Sequence, residues 1–192
     1  MKRNVNITLT IAAISIISLS SCKDENKKGS AEPMSNEIKQ EAVNTNSFTK
    51  DQDEKAIAVI NGYLSLKEAL VADDSDAAVK TSKKLVATLD NFDTSTYSDT
   101  EQAKLQDIIE EAMDHAEQIA ESPIELQREH FKVLSKDVTD MIAITGAHTK
   151  LYEQFCPMYD KGTAWLSASK EIKNPYYGSK MLACGKVQKE LN

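Results

Sequence analysis

The chain has 192 residues, a formal net charge of −7 and 28% charged residues. That is enough for one ordinary domain plus an export segment. An acidic chain without a basic stripe excludes a nucleic-acid partner, because phosphate neutralisation demands clustered Lys and Arg. Setting aside Lys2 and Arg3 takes the balance from −7 to −9, which favours cationic ligands.

The first residues read as an address. Lys2 and Arg3 form a positive start, and the stretch 5–19 is largely apolar but too short to span a bilayer comfortably. It ends in Leu19-Ser20-Ser21-Cys22, which resembles a bacterial lipobox. The resemblance implies cleavage of residues 1–21, lipidation of Cys22 and anchoring to a membrane of the cell envelope. Lys23-Asp24-Glu25 resembles the acidic export signal of surface-exposed Bacteroidota lipoproteins; a periplasmic-side location is the other reading. Residues 22–49 are polar and poor in large apolar groups, the composition of a flexible tether.

Residues 50–192 are expected to form a single domain, all-α in class: an up-down-up-down four-helix bundle with an irregular, aromatic-rich tail packed on it. A first helix over about 51–72 carries Ile57, Ile60, Leu64 and Val71 on one face. Asp73-Asp74-Ser75-Asp76 breaks the chain and starts a second, whose inward residues are Ala78, Ser82, Leu85 and Leu89. Ser98 and Glu101 make a capping box for a third, striped by Leu105, Ile108, Ala112 and Ile119. Ser122-Pro123-Ile124-Glu125 starts a fourth with Pro at its first position. That helix buries Ile124, Phe131, Leu134, Val138 and Ile142, and Gly146 ends it. A short further helix is expected over about 148–155.

Composition changes at Tyr152. Six of the 11 aromatic residues fall between Tyr152 and Tyr177, and Pro157, Gly162 and Pro175 interrupt that stretch. Four sulfur residues lie here too: Cys156 and Met158 two apart, Met181 and Cys184 three apart. With Cys22 lipidated, Cys156 and Cys184 remain as an even pair in an oxidising compartment, which permits a disulfide. It would close a 29-residue loop and contribute roughly 3–4 kcal/mol in the chain-entropy model. The alternative is a metal site. Thiolates and thioethers are soft donors that select copper(I) or silver(I), and Cys156, Met158, Met181 and Cys184 would converge on one ion.

Of the three histidines, His115 sits closest to an apolar stripe, between Ala112 and Ile119, and is the candidate for completing that coordination. His130 and His148 fall farther from their stripes and are expected to face solvent. Enzyme readings fail on spacing. Ferritin-like di-iron helices need Glu three residues before His, where this chain has Ala112, Gln127 and Thr145. Asp74-Ser75-Asp76 lacks the Gly and terminal Glu of a calcium loop. No phosphate-binding glycine loop, nucleophile elbow or Cys-x-x-Cys is present. Nothing orients His115 or His148 as a base for a Cys156 nucleophile. Glu110, Glu111, Asp114 and Glu117 read as a solvated helix face. The expectation is a protein that is not an enzyme.

The tail pattern Cys156-Pro157-Met158, Trp165-Leu166-Ser167, Ile172, Asn174-Pro175-Tyr176 with Gly178, and Met181-Leu182 with Cys184-Gly185 resembles an uncharacterised domain family of Bacteroidota envelope lipoproteins. That family also occurs as a C-terminal module of CusB-type copper and silver efflux adaptor subunits. Residues 62–74 and 123–135 resemble its helices, so the likeness spans about 50–187. It implies heavy-metal handling in the envelope, with an efflux adaptor as partner and copper(I) or silver(I) as the bound ion. The competing expectation is a disulfide-stapled protein-interaction module without metal.

Overall fold

The computed structural model describes residues 45–192, with side chains described from Glu54 onward. Cys22, the residues expected to be a signal segment and most of the expected tether lie outside the described residues. Four helices come first: α1 (Thr45–Val71), α2 (Ser75–Asp90), α3 (Asp99–Glu121) and α4 (Ile124–Thr145). Helix α1 begins inside the stretch read as tether, five residues before the expected domain boundary. Among the described residues no helix is long and apolar enough to cross a membrane.

Helix boundaries follow local chemistry. Asp74 caps α2, its carboxylate accepting the Ala77 N–H at 2.8 Å. The Glu101 carboxylate reaches back to Ser98, accepting its N–H at 3.2 Å and its hydroxyl at 2.6 Å. These contacts satisfy donors that the first helical turn leaves unpaired. Pro123 occupies the cap of α4, one position earlier than expected, so Ser122 closes α3 instead. Gly146 ends α4 at φ +85°, a conformation that favours glycine.

Each helix packs on the next, and α1 closes on α4. The core of α2 is the expected set: Ala78, Ser82, Leu85 and Leu89. On α3 the stripe turns slightly, burying Ile109 and Ala116 and leaving Ile108 half-buried. On α1 the buried line is Ala56, Val59, Ile60, Tyr63, Leu66 and Leu70, and Ile57, Leu64 and Val71 lie at its margin. On α4 Phe131, Leu134, Val138 and Ile142 are buried, as are the polar Gln127, Arg128, Ser135 and Asp137.

The tail corrects the all-α expectation. In place of a fifth helix and an irregular segment, it forms a three-stranded antiparallel sheet of order β2-β1-β3. Its strands are β1 (Leu151–Cys156), β2 (Thr163–Ser167) and β3 (Lys186–Leu191), with a 3₁₀ turn at Gly178–Lys180. Tyr152 pairs with Ser167 and Cys156 with Thr163; on the other edge Leu151 pairs with Leu191, with a bulge at Glu153/Gln154. The six residues of β1, Leu-Tyr-Glu-Gln-Phe-Cys, carry no decisive period of their own, and their pairing with strands farther along the chain decides the outcome. Between β1 and β2 the chain reverses through Asp160, Lys161 and Gly162, all at positive φ. A side chain at Gly162 would run into the Phe155 ring.

Strand β2 lies against α4, and the aromatic residues lock the two layers together. Tyr176 is buried among the rings of Phe131, Tyr159 and Trp165, at centroid distances of 5.9, 4.7 and 5.8 Å. Its hydroxyl donates to the Ala164 carbonyl at 2.6 Å. Tyr63 of α1 reaches across the core: its hydroxyl accepts the Leu166 N–H at 3.1 Å and shares a hydrogen bond with Ser135 at 2.8 Å.

Candidate functional site

Cys156 closes β1 and is fully buried; Cys184 lies in the turn before β3 and is half-buried. Both are free cysteines, and their sulfurs lie 2.6 Å apart. The sequence separates them by 28 positions, and the sheet and the loop before β3 bring them together.

Asn174 organises that loop. It is fully buried and hydrogen-bonded through both its backbone and its side chain. Its N–H donates to the Leu182 carbonyl at 2.9 Å, and its side-chain amide to the Cys184 carbonyl at 2.7 Å. Its side-chain oxygen accepts the N–H groups of Tyr176 and Tyr177 at 2.8 and 3.2 Å. Such an Asx turn replaces regular backbone pairing where the chain must fold tightly. The Cys184 N–H donates to the Met181 carbonyl at 3.0 Å, which completes the turn. Gly185 follows at φ +148°, where a β-carbon would collide with the Trp165 ring and crowd the Phe155 carbonyl and Ile172. The glycine therefore lets the chain pass directly over the tryptophan.

On the other side, Pro157 and Met158 leave the sheet and fold back over the thiols. The Met158 N–H reaches the Cys184 sulfur, and the Tyr177 hydroxyl donates to the Met158 carbonyl at 3.0 Å. The close approach of Cys156, then burial, push the Cys184 thiol up to about 11. Met158 is 63% exposed and Met181 37% exposed. Neither methionine fills the core, the usual employment of that residue.

His115 stands apart. Its Nδ1 lies 3.4 Å from Nδ1 of His130 on α4, and the two rings are tilted at 36°. His130 is half-buried instead of facing solvent, because α3 and α4 pack closely at this level. His148 turns back on its own helix end, its Nε2 2.6 Å from the Thr145 carbonyl. Among the described residues no three His, Cys, Asp or Glu side chains gather in a preformed metal-binding group. His115 therefore does not complete a set with Cys156 and Cys184.

Sequence reasoning gave Asn174 no role beyond its place in the tail pattern, and it missed Arg128. The Asn-Pro dipeptide is a turn signal that pointed at the first. Nothing local marks the second: Arg128 falls on the apolar stripe of α4, one turn before Phe131.

The architecture defines a class: a mostly helical bundle capped by a small antiparallel sheet that carries a paired-thiol centre. The family described as "Protein of unknown function (DUF3347)" matches residues 59–150, from within α1 to the residue before β1. The match is shorter than the likeness inferred from the sequence and stops before the first of the four sulfur residues. No curated protein matches, and no solved structure does.

Proposed function

We propose that this chain is a lipid-anchored, non-enzymatic envelope protein that binds copper(I) or silver(I). It would sequester the ion or pass it to an efflux adaptor. The observation that carries the reading is the pairing of two thiols beside two exposed methionines, Met158 and Met181, for which core packing gives no reason. Thiols and thioethers together are a soft donor set. With metal–sulfur bonds of about 2.3 Å, two sulfurs on one ion stand roughly 3.8–4.6 Å apart. The pair must therefore open by about 1–2 Å, and Cys184, in a half-exposed turn, is the side that can yield. Trp165 and Tyr176 are buried in the same apolar cluster as Cys156 and would keep water from that side of the ion. Anchoring through Cys22 would keep the binder near its partner and raise their effective concentration.

A second reading is favoured by the 2.6 Å separation itself. Two sulfurs so close need little movement to reach the roughly 2.05 Å of a disulfide. The domain is then a stapled interaction module without metal. Titrating the reduced full chain with copper(I), and counting reactive thiols before and after, separates the two. Protection of both Cys156 and Cys184 by one ion per chain supports the metal reading. Thiols that stay equally reactive overturn it, as does an exported protein whose stable 156–184 disulfide takes up no copper.

A further inference from the structure

The pairing of His115 with His130 has no part in the sulfur centre. The two Nδ1 atoms lie 3.4 Å apart, from helices that α3–α4 packing holds side by side. Two nitrogens bound to one tetrahedral ion at bonds of about 2.05 Å sit about 3.3 Å apart. The rings are therefore already spaced as two ligands of a single ion. Beside His115 lies an open depression of about 580 Å³, lined by His115, Val133, Asp107, Glu110, Glu111 and Asp114. Glu111 is one helical turn before His115 on the same face. Four acids around an opening concentrate cations there.

We propose that His115 and His130 form a nitrogen-donor site for a borderline divalent cation, zinc or copper(II), separate from the sulfur centre. Imidazole selects this class of ion, whereas carboxylates alone suit calcium or magnesium and sulfur suits copper(I). The two histidines supply a pair of ligands, and water or the exposed carboxylate of Glu111 or Asp114 completes the shell. The structural alternative is an ordinary hydrogen bond between two neutral rings of opposite tautomer.

Zinc decides between them, because it is redox-silent beside the thiols. Ring-nitrogen NMR of the full chain during a zinc titration reads each histidine separately. The expected result is a joint shift of the Nδ1 signals of His115 and His130, with His148 unmoved. His115→Gln and His130→Gln should each weaken zinc binding at these rings about tenfold or more, since even outer-shell partners of metal ligands commonly matter that much. Cys156→Ser should leave both ring shifts in place. The proposal is overturned if saturating zinc leaves both Nδ1 signals where they were, or if a single proton stays shared between the rings. Loss of the shifts in Cys156→Ser also overturns it, because the zinc would then be held by sulfur. Failure of copper(I) to protect the thiols bears only on the sulfur centre.

Discussion

Arg128 forms an ion pair with Asp73, and through it α4 grips both the α1–α2 turn and the sheet-bearing tail. The guanidinium is buried, with its side chain 7% exposed. It also donates to the carbonyls of Leu70 at 3.0 Å and Pro175 at 2.9 Å. Asp73 in turn accepts the Ser179 N–H at 3.0 Å. Three segments distant in sequence thus meet at one cation. Replacing Arg128 by Met keeps most of the volume but leaves the Pro175 carbonyl without its donor and the Leu70 carbonyl with only the longer bond from the Asp73 N–H at 3.3 Å. A loss of about 2–3 kcal/mol is expected in urea unfolding. The exposed side of Asp73 can regain water, which holds the cost below that of a fully buried broken pair. A variant as stable as the parent would show that the tail docks by its aromatic residues alone.

The same aspartate gives a pH signature. Hydrogen bonds from Ser179 and Arg128 hold its carboxyl down at about 2, below the unfolded value near 3.9. A depressed pKa contributes stability above the unfolded value and loses it as pH falls through the folded one. The stability difference between the parent and Asp73→Asn should be constant above about pH 5 and shrink between pH 4 and 2. Chemical denaturation across that range checks it, and a flat difference would contradict the pairing.

Asp137 has the opposite sign. It is buried on α4, its Oδ2 makes no hydrogen bond, and burial followed by the charge of Glu111 raises its pKa to about 6. A raised carboxyl favours the fold in its neutral form, fully so below pH 4, and this contribution disappears as pH rises through 6. Asp137→Asn removes the buried charge. Relative to the parent it should gain about 1–2 kcal/mol as pH rises from about 4 to 6 and then plateau. Thermal midpoints at pH 4.5 and 7.5 test this; equal differences at both would mean that Asp137 is solvated.

The helices were legible because each signal lies within a few residues: the Asp74 cap, the Ser98–Glu101 box, the Gly146 stop and the stripe of α2. The sheet was not, because β1 is defined by partners at Thr163–Ser167 and Lys186–Leu191, and no local period reveals a long-range pairing. Among the candidate ligands, the meeting of Cys156 with Cys184 followed from counting cysteines, whereas the pairing of His115 with His130 depends on the register of α3 against α4. Sequence spacing along one helix carries no information about that register.

Asn174 is expected to set the position of Cys184. Asn174→Ala removes three side-chain hydrogen bonds in a buried turn, at a cost of about 2–4 kcal/mol if the exposed partners stay unpaired. It should also separate the thiols, so that a mild oxidant forms the 156–184 disulfide more slowly than in the parent. Gly185→Ala should act on the same turn through Trp165, the chain's single tryptophan. A changed tryptophan emission in that variant, with the helical signal intact, would locate the disturbance at the sheet.

The methionines separate a soft-metal centre from a bare thiol pair. Leu matches Met in volume, and both positions are exposed, so Met158→Leu with Met181→Leu should change stability by less than about 1 kcal/mol. If the thioethers ligate, silver(I) affinity of the reduced protein should fall about tenfold or more, with thiol reactivity in the absence of metal unchanged. Competition against a soluble thiol chelator measures it. Unaltered affinity would leave Cys156 and Cys184 as the whole donor set and make the exposed methionines a feature of the surface.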